Sequence, residues 1–157
     1  MIISTVWAAL YGSSIRPTFD LPPDLPQVNF DKTQMQQVLT NLTLNAVEAM
    51  PQGGDLEICA RVNRIPSDCS LLLPPGDYVH ITVSDTGIGF LPENLPKIFY
   101  PYFSTKQMDF HKGRGLSLSV CHSIISRHGG LISANNSLDS GAIFNIWLPV
   151  ADETNTE

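Results

Sequence analysis

Four short groups of residues in this chain have side chains suited to holding a phosphorylated ligand. Asp85 closes the alternating run Tyr78-Val79-His80-Ile81-Thr82-Val83 and opens the loop Asp85-Thr86-Gly87-Ile88-Gly89-Phe90. A carboxylate fixed at a strand end can accept a hydrogen bond from an exocyclic amine such as that of adenine. Gly87 and Gly89 would let the backbone turn with positive φ and come close to a flat ring. Asn41 and Asn45 stand four residues apart, which puts them on one side of a helix. An Asn carbonyl is a hard-oxygen ligand suited to Mg2+, and its amide can reach phosphate oxygens. Lys106 and Arg114 could add charge contacts to phosphates. The Gly-spaced run Gly113-Arg114-Gly115-Leu116-Ser117-Leu118 precedes apolar helical spacing, so its N–H groups could receive phosphate as well. Together, and in this order, these groups predict an adenine-nucleotide pocket.

Several elements must position them. Asp31 reads as a helix N-cap, with Gln34 in the capping-box position. The helix it opens runs to Met50 with Val38, Leu42, Ala46 and Ala49 near one face, and Pro51-Gln52-Gly53-Gly54 stops it. Leu56, Ile58, Ala60 and Val62 alternate as a half-buried strand, joined to the strand at 78–84 by a long hairpin-like connection. Residues 91–114 are rich in turn signals and predict a mobile cover. A helix is expected from about Gly115 to Arg127, ended by His128-Gly129-Gly130, then strands at 131–135 and 142–148. Helices interleaved with mostly antiparallel strands predict a two-layer α/β sandwich with one mixed sheet. The domain is expected over 27–150, behind an extended N-terminal arm or upstream remnant at 1–26 and ahead of an acidic tail at 151–157. Pro17, Pro22, Pro23 and Pro26 suggest the extended arm. The apolar start, Met1 to Leu10, lacks a basic segment and is too short to span a bilayer; it reads as a helix remnant, a packing arm or the edge of a longer protein.

Composition narrows the function. The chain has 157 residues, 43% of them hydrophobic and 15% charged, as expected of about one globular domain. Its net charge of −6, with nine Lys and Arg, argues against nucleic acid as a partner. Cys59, Cys69 and Cys121 have no metal-ligand spacing and suit a reducing compartment. His80, His122 and His128 form no metal cluster and are expected to be structural or exposed.

In order and wording, the motifs resemble the ATP-binding catalytic domain of bacterial sensor histidine kinases, within the gyrase–Hsp90–histidine kinase–MutL superfamily. Gln37 to Met50 resembles its Asn box, Asp85 to Phe90 its first Gly box, Phe99 to Lys106 its Phe box and Gly113 to Leu118 its second Gly box. The resemblance covers about residues 15–150 and implies a Bergerat-type fold, with ATP between the Asn-box helix and a lid. It implies Asn45 as Mg2+ ligand, Asn41 beside the phosphate–metal site, Asp85 on adenine, and Gly87 and Gly89 along the base. It implies Lys106 at the terminal phosphates, with Gly113, Arg114, Gly115 and Leu116 at the lid's exit. Asn41 stands where the ATPase branches carry a water-activating Glu, which favours phosphoryl transfer over hydrolysis.

The function implied is the catalytic module of a two-component kinase in the cytoplasm. It would pass the γ-phosphoryl group of ATP to a histidine on a phosphoacceptor dimerisation domain, in cis or in trans. A response regulator would be served through the full kinase, and the domain itself would touch neither membrane nor nucleic acid. No phosphoacceptor-His helix is recognisable before residue 15, so the chain alone is not expected to complete autophosphorylation. Ser117 stands in place of a family Gly, and Ala142 in place of a common Thr. These departures keep open a degenerate, noncatalytic nucleotide-binding or interaction domain. An anti-sigma-like Ser/Thr kinase is a further alternative, but it usually has Glu at the Asn41 position.

Overall fold

The computed structural model describes residues 1–67, 73–101, 114–138 and 140–151, with backbone alone for 114–117. Its elements run α1 (Ile2–Ala9), β1 (Ile15–Asp20), α2 (Lys32–Ala49), β2 (Gly54–Ile65), β3 (Gly76–Asp85), a 3-10 turn (Leu95–Lys97), α3 (Arg114–Arg127), β4 (Leu131–Asn136) and β5 (Ala142–Pro149). The strands form one sheet in the order β1-β2-β3-β5-β4. Only β1 and β2 are parallel; the other pairs are antiparallel, giving the mixed two-layer architecture that the sequence predicts.

Period-two alternation builds the sheet's inner face. Leu56, Ile58 and Ala60 of β2 and Val79, Ile81 and Val83 of β3 are buried there, as are Phe144, Ile146 and Leu148 of β5. Helix α2 lays Met35, Val38, Leu39, Leu42 and Ala46 against that face, a stripe with helical spacing. Its start is capped as expected: the Asp31 carboxylate accepts from Gln34 N–H at 2.9 Å. Helix α3 adds Cys121, Ile124 and Ile125.

Two sequence expectations need correction. Residues 1–26 are not an extended arm throughout. The stretch 15–20 is extended, as β1, and Arg61 ties its end to β2 by donating to the Asp20 carboxylate. The stretch 2–9, in contrast, is a helix, as one reading of the apolar start allowed, and its Val6, with the following Leu10, is buried in the core. Prolines 17 to 26 all lie beyond this helix, so they place no constraint on it. Val62 also departs from its strand pattern and is 49% exposed. Beyond Cys59, β2 has lost its β1 neighbour, so Val62 stands at an open edge.

Both described histidines of the helix–sheet body outside α3 have structural partners. His128 stacks on Phe30 with ring centroids 3.8 Å apart. Its Nδ1–H donates to the Ile124 carbonyl at 2.7 Å, and its Nε2 accepts from Asp31 N–H at 3.3 Å. His80 lies on the sheet's outer face, between Asn63 and Asn145. Among the described residues, no helix is long and apolar enough to cross a membrane.

Candidate nucleotide site

Asp85 ends β3 on its inner face, in register with Leu56 of β2. It is 6% exposed, one of two buried polar or charged side chains among the described residues. Two backbone N–H groups converge on its Oδ1, Gly87 at 2.9 Å and Ala142 at 3.2 Å. Burial pushes this carboxyl above its ordinary pKa, and the two amides pull in the opposite direction. Among the described residues no hydrogen bond reaches Oδ2. Asp85 is therefore held by one oxygen and has acceptor capacity left on the other.

The loop after Asp85 is shaped by close backbone approaches. Gly89 has φ +70°, the left-handed turn expected of these glycines. Gly87 does not have positive φ; glycine is required there by packing, since a Cβ would sit 2.5 Å from the Ala49 carbonyl oxygen of α2. Ile88 N–H donates to that same carbonyl at 3.3 Å. The loop is thus fastened to the last turn of the helix that carries the Asn pair. From Ala49, Asn45 and Asn41 lie one and two turns back along the helix, about 6 and 12 Å at 1.5 Å per residue. Both are half-buried. They lead away from the Asp85 loop, turned about 40° and 80° around the helix from Ala49.

Residues missed in the sequence complete this end of the sheet. Gly141 has φ +93°, and a Cβ there would lie 2.1 Å from the Asp85 carbonyl oxygen and 3.0 Å from Oδ1. Ser140 Oγ donates to the Gly87 carbonyl at 2.7 Å. Asn136 brackets Phe90, its Oδ1 accepting from Phe90 N–H and its Nδ2 donating to the Phe90 carbonyl. Thr86 Oγ1 accepts from Asp55 N–H at 3.1 Å. A Gly immediately before a terminal strand was the one available signal for Gly141. The Asn136 and Ser140 contacts cross about fifty residues of chain and left no local trace.

Where α3 packs on α2, Cys121 is fully buried, with Sγ 3.8 Å from the Val38 carbonyl. Burial pushes its thiol up to about 12, opposed by a hydrogen bond with the Asn41 side chain. Arg114, Gly115 and Leu116 form the first turn of α3, where N–H groups lack partners within the helix. Lys106 and Gly113 lie outside the described residues. The expected cover at 91–114 is anchored at its start: Ile98 is buried, and Phe99 packs edge-on to Phe144 with centroids 6.3 Å apart.

Among the described residues, no group of three or more His, Cys, Asp or Glu could hold a metal. The site as a whole offers a hydrogen-bond acceptor for a base at one end and neutral amide oxygens further along α2.

Residues 30–152 match the family model described as histidine kinase-, DNA gyrase B- and HSP90-like ATPase. The chain is 42% identical over 147 residues to the sensor kinase CckA of Brucella abortus (strain 2308), covering 90% of this chain and 15% of that protein. Among solved structures, the catalytic domain of the histidine kinase ThkA superposes with a TM-score of 0.71 at 28% identity, covering 95% of this chain and 90% of that one. ThkA in complex with the response regulator protein TrrA matches with a TM-score of 0.69 at 27% identity, over 96% of this chain and 40% of that chain. The chain thus spans a small part of the full-length relative and nearly all of a catalytic domain. It belongs to the histidine kinase-, DNA gyrase B- and HSP90-like ATPase family, with a catalytic domain of the histidine kinase kind.

Proposed function

We propose that this domain binds ATP with Mg2+ and passes the γ-phosphoryl group to a histidine on a phosphoacceptor dimerisation domain, as the catalytic module of a cytoplasmic two-component kinase. The observation that carries the reading is the buried Asp85 carboxylate. Its Oδ1 is fixed by Gly87 and Ala142, and its Oδ2 has no partner among the described residues. The adenine amine would donate to Oδ2, while Gly87 and Gly89 keep side-chain bulk out of the loop beside the ring.

Asn45 would hold Mg2+ through Oδ1, and Asn41 would orient phosphate oxygens beside it. Bound Mg2+ would neutralise phosphate charge during transfer. By motif position, Lys106 would meet the terminal phosphates, with Gly113, Arg114, Gly115 and Leu116 supplying backbone donors at the start of α3. The domain's contribution would be positioning and charge stabilisation, with Asn41 and Lys106 as the catalytic groups. The ThkA–TrrA complex supports a response regulator as the downstream partner of the full kinase.

The alternative is a noncatalytic nucleotide-binding or interaction domain, favoured by Ser117 in the second Gly-spaced run. Ala142, in place of a common Thr, adds to that case through the missing hydroxyl, although its backbone N–H still reaches Asp85. Calorimetry with ATP and a nonhydrolysable analogue, with and without Mg2+, tests nucleotide binding. Metal-enhanced binding is expected, followed by phosphate transfer to a supplied histidine domain. A folded sample that binds neither nucleotide at millimolar concentration would overturn the reading; binding without transfer would favour the alternative.

A further inference from the structure

The Asp85 loop is seated on the last turn of α2, and the first turn of that helix borders a different space. Met35, about 15 Å back along the helix from Asn45, lines a cavity of about 260 Å3. The cavity lies between the sheet, the starts of α1 and α2 and the stretch 25–30. Its floor is Ala60, Ile81 and Leu148, all buried in the core. Val28 and Phe30, half-buried against that core, wall it. Every side chain that lines it is apolar except Lys32. Lys32 is exposed and makes no ion pair among the described residues. The neighbouring Asp31 carboxylate is turned to its own helix, where it accepts from Gln34 N–H. A lysine so placed lays its carbon stem along apolar surface and keeps its ammonium in water.

Size, lining and charge together select a ligand. Native interiors hold few voids larger than a water molecule. An apolar cavity of about 150 Å3 stays dry and takes benzene. At the same room per carbon, 260 Å3 takes about ten carbons. A single apolar chain with one negative end matches both the lining and the ammonium on the rim, whereas a two-chain lipid is too large. We propose that this cavity is a binding site for a free medium-chain carboxylate, with its acyl chain over Ala60 and Ile81 and its carboxylate at Lys32. The site lies apart from the nucleotide pocket and does not depend on the ATP reading.

The test uses the full chain as wild type, Lys32→Gln, Ala60→Leu and Val28→Phe. The last fills the cavity from its half-buried wall, should Ala60→Leu fail to fold. Calorimetry measures decanoate, butyrate and decanol. Decanoate is expected to bind at about one molecule per chain, and butyrate at least about a hundredfold more weakly. Filling the cavity should weaken decanoate about tenfold or more. Lys32→Gln should weaken decanoate about two- to fivefold and leave decanol unchanged. In 15N–1H spectra, decanoate should move the amides of Val28, Ala60 and Ile81 and leave those of Gly87 and Gly89 in place. A folded wild type that binds no decanoate at millimolar concentration would overturn the proposal, as would cavity-filling variants that bind it like wild type. Undiminished decanoate affinity in Lys32→Gln would overturn the carboxylate assignment. A wild type that sediments as a dimer, and as a monomer once the cavity is filled, would give the cavity to a second copy instead. MgATP is absent from every arm, so a failed ATP reading leaves these outcomes as they are.

Discussion

Two of the polar side chains of strand β3 lie on opposite faces, His80 outside and Asp85 inside, and they are satisfied in different ways. His80 Nδ1 accepts from Asn63 Nδ2 at 2.8 Å, so Nε2 carries the proton and donates to Asn145 Oδ1 at 3.0 Å. Its ring also stacks on Trp147, with centroids 4.5 Å apart and planes 9° apart. Every polar atom of that imidazole is used within the protein. At Asp85 both amides crowd onto one oxygen, and the carboxyl is buried with capacity left over. A closed network holds a sheet together, whereas a half-closed one is equipped to receive something. The difference explains how two polar residues five positions apart can serve architecture in one case and recognition in the other.

The contrast can be broken most severely at Gly141. An added Cβ meets the Asp85 carbonyl at 2.1 Å with φ +93°. Gly141→Ala is expected to destabilise the fold by roughly 2–4 kcal/mol, combining left-handed strain with overpacking. Chemical denaturation would read this directly, and an unchanged midpoint would mean that the turn relaxes freely. Asp85→Asn sharpens the contrast, because it places an N–H where the adenine amine needs an acceptor. ATP affinity should fall by about 2 kcal/mol, roughly 30-fold. The thermal midpoint of the ligand-free protein should hold or rise, since the amide oxygen can still take both backbone bonds.

His80→Ala should do the reverse. It should lower stability by roughly 1–2 kcal/mol through lost hydrogen bonds and stacking, with ATP affinity unaltered in calorimetry. The smallest effect is expected from pH. Because burial raises the Asp85 pKa, its contribution to stability is full below the ordinary carboxyl value and is lost as pH rises through the raised one. Nucleotide affinity runs the other way, falling as acid protonates the acceptor. Thermal midpoints and ATP titrations across the same pH series, with Asp85→Asn as the flat reference, would show both slopes.

What could be read in the chain before folding was what acts locally. The Asp31 cap, the α2 stripe, the β3 alternation and the Asp85 loop all follow from spacings within a few residues, and each stands where expected. The 2–9 helix was one of several readings left open, because an apolar stretch of two turns has no clear polar face and the packing of Val6 and Leu10 against the core helps hold it. Gly87 was read as a turn glycine, but its requirement comes from Ala49, almost forty residues earlier in the chain. Cys121 looked like one of three unrelated cysteines, because its partners Val38 and Asn41 are about eighty residues away. Local structure was legible, and contacts created by tertiary packing were not.

The bond from Ile88 N–H to the Ala49 carbonyl, beside the bare Cα of Gly87, has a metrical consequence. It works like the fixed jaw of a caliper. The loop cannot slide along α2 without breaking its seat, so the span from Asp85 to each Asn amide is set by the helix pitch. On the ATP reading, a ligand would then be gauged by length as well as by its end groups: one that reached the acceptor with too short a body would fall a helical turn short of the amides.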